Sequence, residues 1–284
     1  MPTKLKNKFF VKIRFSTPYD IPQIRHIMSV VFGDTSLYLD LLFNLKYDNN
    51  VVVCEIDGEV VASAFLLSTH IGEQPCTYVY GCATLPPFRG KGIMKMILEY
   101  ADKHICNLRQ RGLFLVPATE DLSHYYKSLG YDHFFYHSEY HFELFDFKVC
   151  LEKRYSIEII DHLEYYEFRP HFISDQHAIM WEPAHYELVI KEYARTKGGF
   201  FKILEGVTVV GIGFYYIMNY KTWIPEFLGN IYPAQVANLF FNKIETNYIN
   251  IITPGKGSSF GMVKWNTEID QPLQGSGYFA FALD

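Results

Sequence analysis

"LPPFRGKGIMKMILEYA", residues 85–101, sets two prolines and the run Arg89, Gly90, Lys91, Gly92 directly before an apolar helical pattern. Glycines at the mouth of a helix either turn the chain or let its backbone close on an anion. A helix N-terminus leaves its first N–H groups unpaired and carries roughly half a positive charge, so it holds a phosphate wherever the backbone can be approached closely. Gly90 and Gly92 permit that approach, and Arg89 and Lys91 supply charge for phosphate oxygens. Two common phosphate loops are excluded by pattern. Walker A requires GxxxxGK[ST], and its last position is occupied by Gly92; GxGxxG lacks its third glycine, because Met94, Lys95 and Met96 follow. The later "GKGSSFG" at 255–261 also fails Walker A and reads as a loop.

Working outward, "VKIRF" at 11–15 alternates like a strand. A helix follows, with Asp20 as its N-cap, Pro22 in the first turn, and Ile24, Ile27, Met28 and Val31 on one face. Two β-rich runs meet at Asp57-Gly58, a hairpin signal, and "CTYVYGCATL" is a further strand ending at Pro86 and Pro87. In the quoted segment Ile93, Met96, Ile97 and Tyr100 form the inner face of a helix running to about Arg111. "GLFLVPA" (112–118) is a buried strand, "DLSHYYKSLG" (121–130) a short helix closed by Gly130, and the aromatic stretch 131–147 a half-buried strand. The order β, α, β-hairpin, β, α, β, α, β implies an α+β fold with a mixed central sheet flanked by helices.

The second half echoes the first. "VVASAF" at 60–65 returns as "VVGIGF" at 209–214, each behind a turn glycine, Gly58 and Gly206. Residues 234–255 again read as helix then strand, with Val236, Leu239, Phe240 and Ile244 at helical spacing. A degenerate tandem duplication is expected, with units 1–148 and 149–284 packed together, because 148–158 lacks the bias of a flexible linker. Before the second helix stands "GNIYPAQ" (229–235), with no counterpart of Arg89 to Gly92.

With 284 residues, 49% of them hydrophobic and 20% charged, the chain can bury a sizeable core. A net charge of −5 without a basic block argues against nucleic acid and favours cationic small substrates. The basic N-terminus is too poor in apolar residues for a signal peptide, and no run approaches a membrane span, so a cytoplasmic protein with no membrane partner is expected. Five cysteines form no CxxC and read as reduced thiols; eleven histidines form no HExxH, and no metal site is expected.

The strand "YVYGCATL", then "PPFRGKGIMKMIL", then "LFLVPA" and "HYYKSLGY" together resemble the GNAT N-acetyltransferases over roughly residues 11–145. That family's acetyl-CoA loop, [RQ]xxGx[GA], corresponds to Arg89 through Met94, and its FYxKxGF helix to Tyr125 through Tyr131. The resemblance implies the GNAT acyltransferase fold and acetyl-CoA as co-substrate. Backbone amides of Arg89, Gly90, Lys91, Gly92, Ile93 and Met94 would hold the pyrophosphate, and the strand end at Ala83, Thr84 and Leu85 would pair with the pantetheine arm. Met94 replaces the loop motif's final Gly/Ala, so its side chain is expected to point away from the pyrophosphate. Tyr126 matches the tyrosine that protonates the leaving sulfur, with Tyr125 as its packing partner.

The implied reaction is direct attack of a primary amine, on a small molecule or peptide, upon the thioester. An amine of pKa ~10 costs on the order of 4 kcal/mol to deprotonate at pH 7, whereas a thiolate of pKa ~8.5 leaves with less help, so a base or a water chain matters more than an acid. Strand 76–84 carries no acidic residue; Glu120, Asp121 and Asp34 are candidates, and Asp34 or Asp40 could meet an ammonium. Tandem GNAT enzymes of the enhanced-intracellular-survival type use their C-terminal carboxylate, which makes the α-carboxylate of Asp284, behind the apolar tail "GYFAFAL", a further candidate. A non-catalytic acyl-CoA-binding regulatory module and an aminoacyl-tRNA-dependent transferase are the competing readings.

Overall fold

The computed structural model describes residues 10–44, 50–150, 154–173, 177–193 and 196–283. The first half runs β1 (Val11–Phe15), α1 (Ile21–Phe32), α2 (Ser36–Asn44), β2 (Val51–Ile56), β3 (Glu59–Ile71), β4 (Gln74–Thr84), α3 (Ile93–Asn107), β5 (Gly112–Leu115), α4 (Glu120–Ser128) and β6 (Asp132–Glu143). The second runs β7 (Tyr155–Ile160), α5 (His162–Ile173), β8 (His177–Met180), α6 (Pro183–Glu192), β9 (Lys197–Glu205), β10 (Thr208–Met218), β11 (Lys221–Gly229), α7 (Pro233–Lys243), β12 (Tyr248–Pro254), β13 (Ser258–Trp265) and β14 (Gly277–Tyr278). The fold is α+β, as its β/α alternation predicts.

Alternation along the strands distributes the side chains between two faces. In β2, Val51 and Val53 enter one core with α1 and α2, while Val52 and Cys54 enter the other beneath α3. Helix α3 buries Ile93, Ile97, Leu98, Ala101 and Ile105 and stops at Asn107, short of the expected Arg111. Arg109 follows at φ 53°, a left-handed turn that the 3.6-residue periodicity could not reveal. Asp20 occupies the N-cap of α1, but its carboxylate reaches back to Arg14 (2.7 Å) and to the Thr17 amide (2.7 Å) instead of capping the helix.

One continuous sheet joins the halves, in the order β1-β2-β3-β4-β5-β13-β6-β12-β11-β10-β9-β7. Strand β13, from the end of the chain, lies between β5 and β6 of the first half: Met262 faces Leu115 on one side and His133 on the other. The stretch 255–261, expected as a loop, therefore enters β13 from Ser258 on. Strand β6 in turn continues past β13 to pair with β12, Ser138 facing Thr253 and Glu143 facing Tyr248. Each half thus completes its sheet with a strand of the other.

The largest core crosses between the halves, packing Ile27, Leu42 and Phe65 together with Tyr186, Phe200 and Phe281. Within it Arg169 and Glu226, 1% and 0% exposed, form an ion pair at 2.9 Å that also receives the Tyr165 hydroxyl. The tail after β14 is buried here as well. Trp181 Nε1 donates to the Ala280 carbonyl (2.9 Å) and His185 Nε2 to that of Phe281 (2.7 Å), their rings stacked 3.8 Å apart. Asp284 lies outside the described residues.

Burial lowers the His185 pKa from 6.5 to about 3, so the ring stays neutral and its Nε2–H keeps donating. Below its ordinary pKa the unfolded chain binds a proton at His185 that the folded chain refuses until pH falls to about 3. Stability therefore rises with pH across that window, by up to about 1.4 kcal/mol per pH unit from this group. Urea midpoints at pH 7, 5.5 and 4.5 should fall accordingly, and His185→Gln should flatten the decline.

Candidate active site

The site is made by a fault in the sheet. Parallel strands β4 and β5 pair only at Thr77 with Leu113 and Tyr78 with Phe114. Beyond them the β3–β4 register shifts between Ser63 and Phe65, and Gly81 takes φ 62°. The bulge turns β4 away from β5, and their pairing stops at Tyr78. A Cβ at Gly81 would stand 2.9 Å from Met28 Cε, the end of a flexible side chain that can give way, so glycine is required there chiefly for its φ.

On the loop side of the opening lies a cleft of about 630 Å³ lined by Thr84, Phe88, Arg89, Gly90, Gly92, Ile93, Met94 and Tyr125. Gly90 and Gly92 sit at φ 72° and 76°, and neither would bring a Cβ within 4 Å of another atom. Their requirement is conformational, and the face they present is open. Gly92 is the N-cap of α3 and no side chain caps the helix, leaving its first-turn amides free to meet a ligand. Arg89 Nε donates to the Thr84 carbonyl (3.0 Å), tying the loop to the end of β4, and Lys91 Nζ lies 5.1 Å from the Phe88 ring.

A second cavity of about 400 Å³ continues from the first between the splayed strands, lined by Tyr78, Val79, Tyr80, Leu115, Val116 and Leu283. Phe32, Cys82, Leu122 and Tyr126 line both. Tyr126 is 5% exposed, hydrogen-bonded to Cys82, and held protonated well above the usual phenol range by burial first and its neighbour second. Burial likewise pushes the Cys82 thiol up to about 11, so it is neutral at pH 7. Tyr80 extends from the cavity wall to Tyr38, their hydroxyls 2.9 Å apart.

Of the residues singled out from sequence, Thr84, Arg89, Gly90, Gly92, Ile93, Met94 and Tyr126 converge on the cleft. Met94 forms part of the cleft wall while packing against the core beneath α3. Ala83 points to the opposite face of β4 and is fully buried, and Leu85 packs against that same core. Among the candidate bases, Glu120 and Asp121 are exposed in the first turn of α4, where they favour the helix dipole. Asp40 is engaged by Arg25 at 2.7 Å. Asp34 differs: burial raises its carboxyl above the usual range, its Oδ2 is buried with no hydrogen-bond partner among the described residues, and its charge acts on Tyr38, after that of Glu192. Sequence reasoning missed Cys82, Tyr80 and Leu283; the two-residue period from Thr84 pointed to Cys82, the bulge moves Tyr80 onto the face of Ala83, and nothing local pointed to Leu283.

Residues 12–134 match the family model of the acetyltransferase (GNAT) domain. The fold is shared with a conserved protein from Enterococcus faecalis V583, a probable N-acyltransferase (TM-score 0.75, 12% identity, 90% of this chain and 72% of that one). It is shared also with a GCN5-related N-acetyltransferase from Anabaena variabilis ATCC 29413 (0.75, 13%, 89% and 72%) and with Eis1 from Mycobacterium abscessus (0.65, 12%, 89% and 73%). No curated protein matches the sequence. The chain carries a GNAT acetyltransferase domain in its first half and has the GNAT fold. No helix among the described residues is long and apolar enough to cross a membrane.

If the bulge opens the site, its glycine should be the costliest to replace. Gly81→Ala, whose φ strain comes with a shift of the buried Met28 side chain, is expected to lower stability by about 2 kcal/mol, and Gly92→Ala, which adds strain alone, by about 1 kcal/mol; urea denaturation of both variants measures the difference.

Proposed function

We propose that the protein is an acetyl-CoA-dependent N-acetyltransferase acting on a primary amine of a small molecule or peptide. The observation that carries this reading is the junction of the two cavities at Tyr126: an anion-binding helix mouth lies on one side and a separate cavity on the other. The residues fit the co-substrate. Amides of α3 and its loop, opened by Gly90 and Gly92, would hold the pyrophosphate, and the end of β4 from Gly81 to Thr84, past its pairing with β5, would take the pantetheine amides as an added strand.

Acetyl-CoA supplies a thioester carbonyl, at which the C–N bond forms and the C–S bond breaks. Tyr126 donates a hydrogen bond to the departing sulfur. Its phenol is held above the ordinary value near 10 and a free thiolate has a pKa near ~8.5, so the proton stays closer to oxygen and the donor stabilises charge. Tyr80 accepts the amine's proton while passing its own to Tyr38, 2.9 Å away, and Tyr38 in turn gives one up through water toward the carboxylates whose charge acts on it, Glu192 first and Asp34 second.

Isothermal titration should give one acetyl-CoA per chain, with binding lost in an Arg89→Ala, Gly92→Glu double variant; no binding by the unaltered protein defeats the proposal. Tyr126→Phe should lower kcat by about 10–100-fold and leave acetyl-CoA affinity within about threefold. Tyr80→Phe should likewise reduce kcat and weaken its dependence on pH. A Tyr126→Phe variant with undiminished turnover would remove that residue from the mechanism.

A further inference from the structure

We infer that the second cavity is the acceptor subsite and takes an amine bearing an aromatic or branched aliphatic group, with one wall held in place by Trp181 and His185. The inference rests on the acetyltransferase reading and adds the chemical class of its acceptor. At about 400 Å³ the cavity falls within the range of small-molecule sites. It meets the loop cleft at Cys82 and Tyr126, so an amine seated in it approaches the thioester from the side opposite the pyrophosphate.

Its lining decides the class. Val79, Leu115, Val116 and Leu283 form the apolar surface, the Tyr78 and Tyr80 rings complete it, and none of the described lining residues is charged. Asp40 is held by Arg25, and Asp34 is not among the lining residues. Such walls repay the transfer of an apolar group from water and penalise a polycation, whose further charges would lose water without finding partners.

The wall at Leu283 belongs to the tail, and the tail does not hold itself there. Its Ala280 and Phe281 carbonyls are bound by Trp181 Nε1 (2.9 Å) and His185 Nε2 (2.7 Å), while Phe279 packs edge-on against Tyr78 at 5.2 Å. Tyr78 lines the cavity, so tail and cavity share a side chain. Neither Trp181 nor His185 lines the cavity; they are positioning residues, His185 acting through the tail and Trp181 through the tail and through the Tyr78 ring, which it meets edge-on at 5.7 Å. By this route the second half shapes the site of the first.

Steady-state kinetics of the full chain at saturating acetyl-CoA, with ethylamine, 2-phenylethylamine, isopentylamine and spermidine, test the class. The expected kcat/KM for 2-phenylethylamine or isopentylamine exceeds that for ethylamine and for spermidine by at least about tenfold. Equal values, or a preference for spermidine, overturn the inference. Titration of 2-phenylethylamine against ethylamine, without turnover, tests the cavity directly, and absence of a preference there overturns it too. His185→Ala should raise the KM for 2-phenylethylamine several-fold and speed hydrogen exchange at 278–283. It should leave acetyl-CoA affinity within twofold, and His185→Gln, which keeps an N–H donor, should restore the KM. A loosened tail with an unchanged KM overturns the positioning role. Failure of the acetyltransferase reading shows separately, as absence of acetyl-CoA binding by the unaltered protein.

Discussion

The pairing of β4 with β5 ends after two residue pairs, and both cavities of the candidate site depend on that break. Two parallel strands that stayed in register would bury their edges against each other and leave no cavity. The extra residue of the bulge, with Gly81 in a left-handed conformation that L side chains adopt only with strain, turns β4 outward. The turn exposes a strand edge, places Cys82 and Thr84 on the cleft, and leaves Tyr126 of α4 where the two cavities meet. Helix α3 then presents its uncapped N-terminus at the mouth of the same opening.

The second half repeats the break without the cradle. Strands β11 and β12 pair from Lys221 to Ile224 and then diverge around a cavity of about 440 Å³. The helix that follows begins with Pro233, which has no N–H, and the Tyr232 amide is already taken by Gln235 Oε1 at 3.2 Å. This half contributes strand β13, inserted between β5 and β6, and the buried tail that runs to Leu283. The buried Arg169–Glu226 pair stands in the same core as the tail. Losing one partner would strand a charge there, which ties that part of the core to one arrangement.

Local features were legible in the sequence because they are set locally. Turn glycines, strand alternation and the apolar face of α3 each report on their own few residues, and the motif from Arg89 to Met94 sits at the helix mouth where its glycines placed it. The exchange of β13 was not legible. "GKGSSFG" carries no period that distinguishes a loop from the entry to a strand, and its partners β5 and β6 lie more than a hundred residues away. The same holds for Leu283, Trp181 and His185, which come to the site from the far end of the chain, through the tail and, for Trp181, through Tyr78 as well. The acids failed as guides for a different reason: a carboxylate's role depends on its partners, and only the structure shows Asp40 occupied by Arg25 while Asp34 Oδ2 has none.

The central claim is that the break in the first half, and not its counterpart in the second, receives acetyl-CoA through the edge of β4 and the mouth of α3. Backbone hydrogen exchange with and without acetyl-CoA tests this directly. The predicted result is slowed exchange confined to residues 79–85 and 89–96, with the stretch 229–235 unchanged. Protection at 229–235, or none at the end of β4, would contradict it.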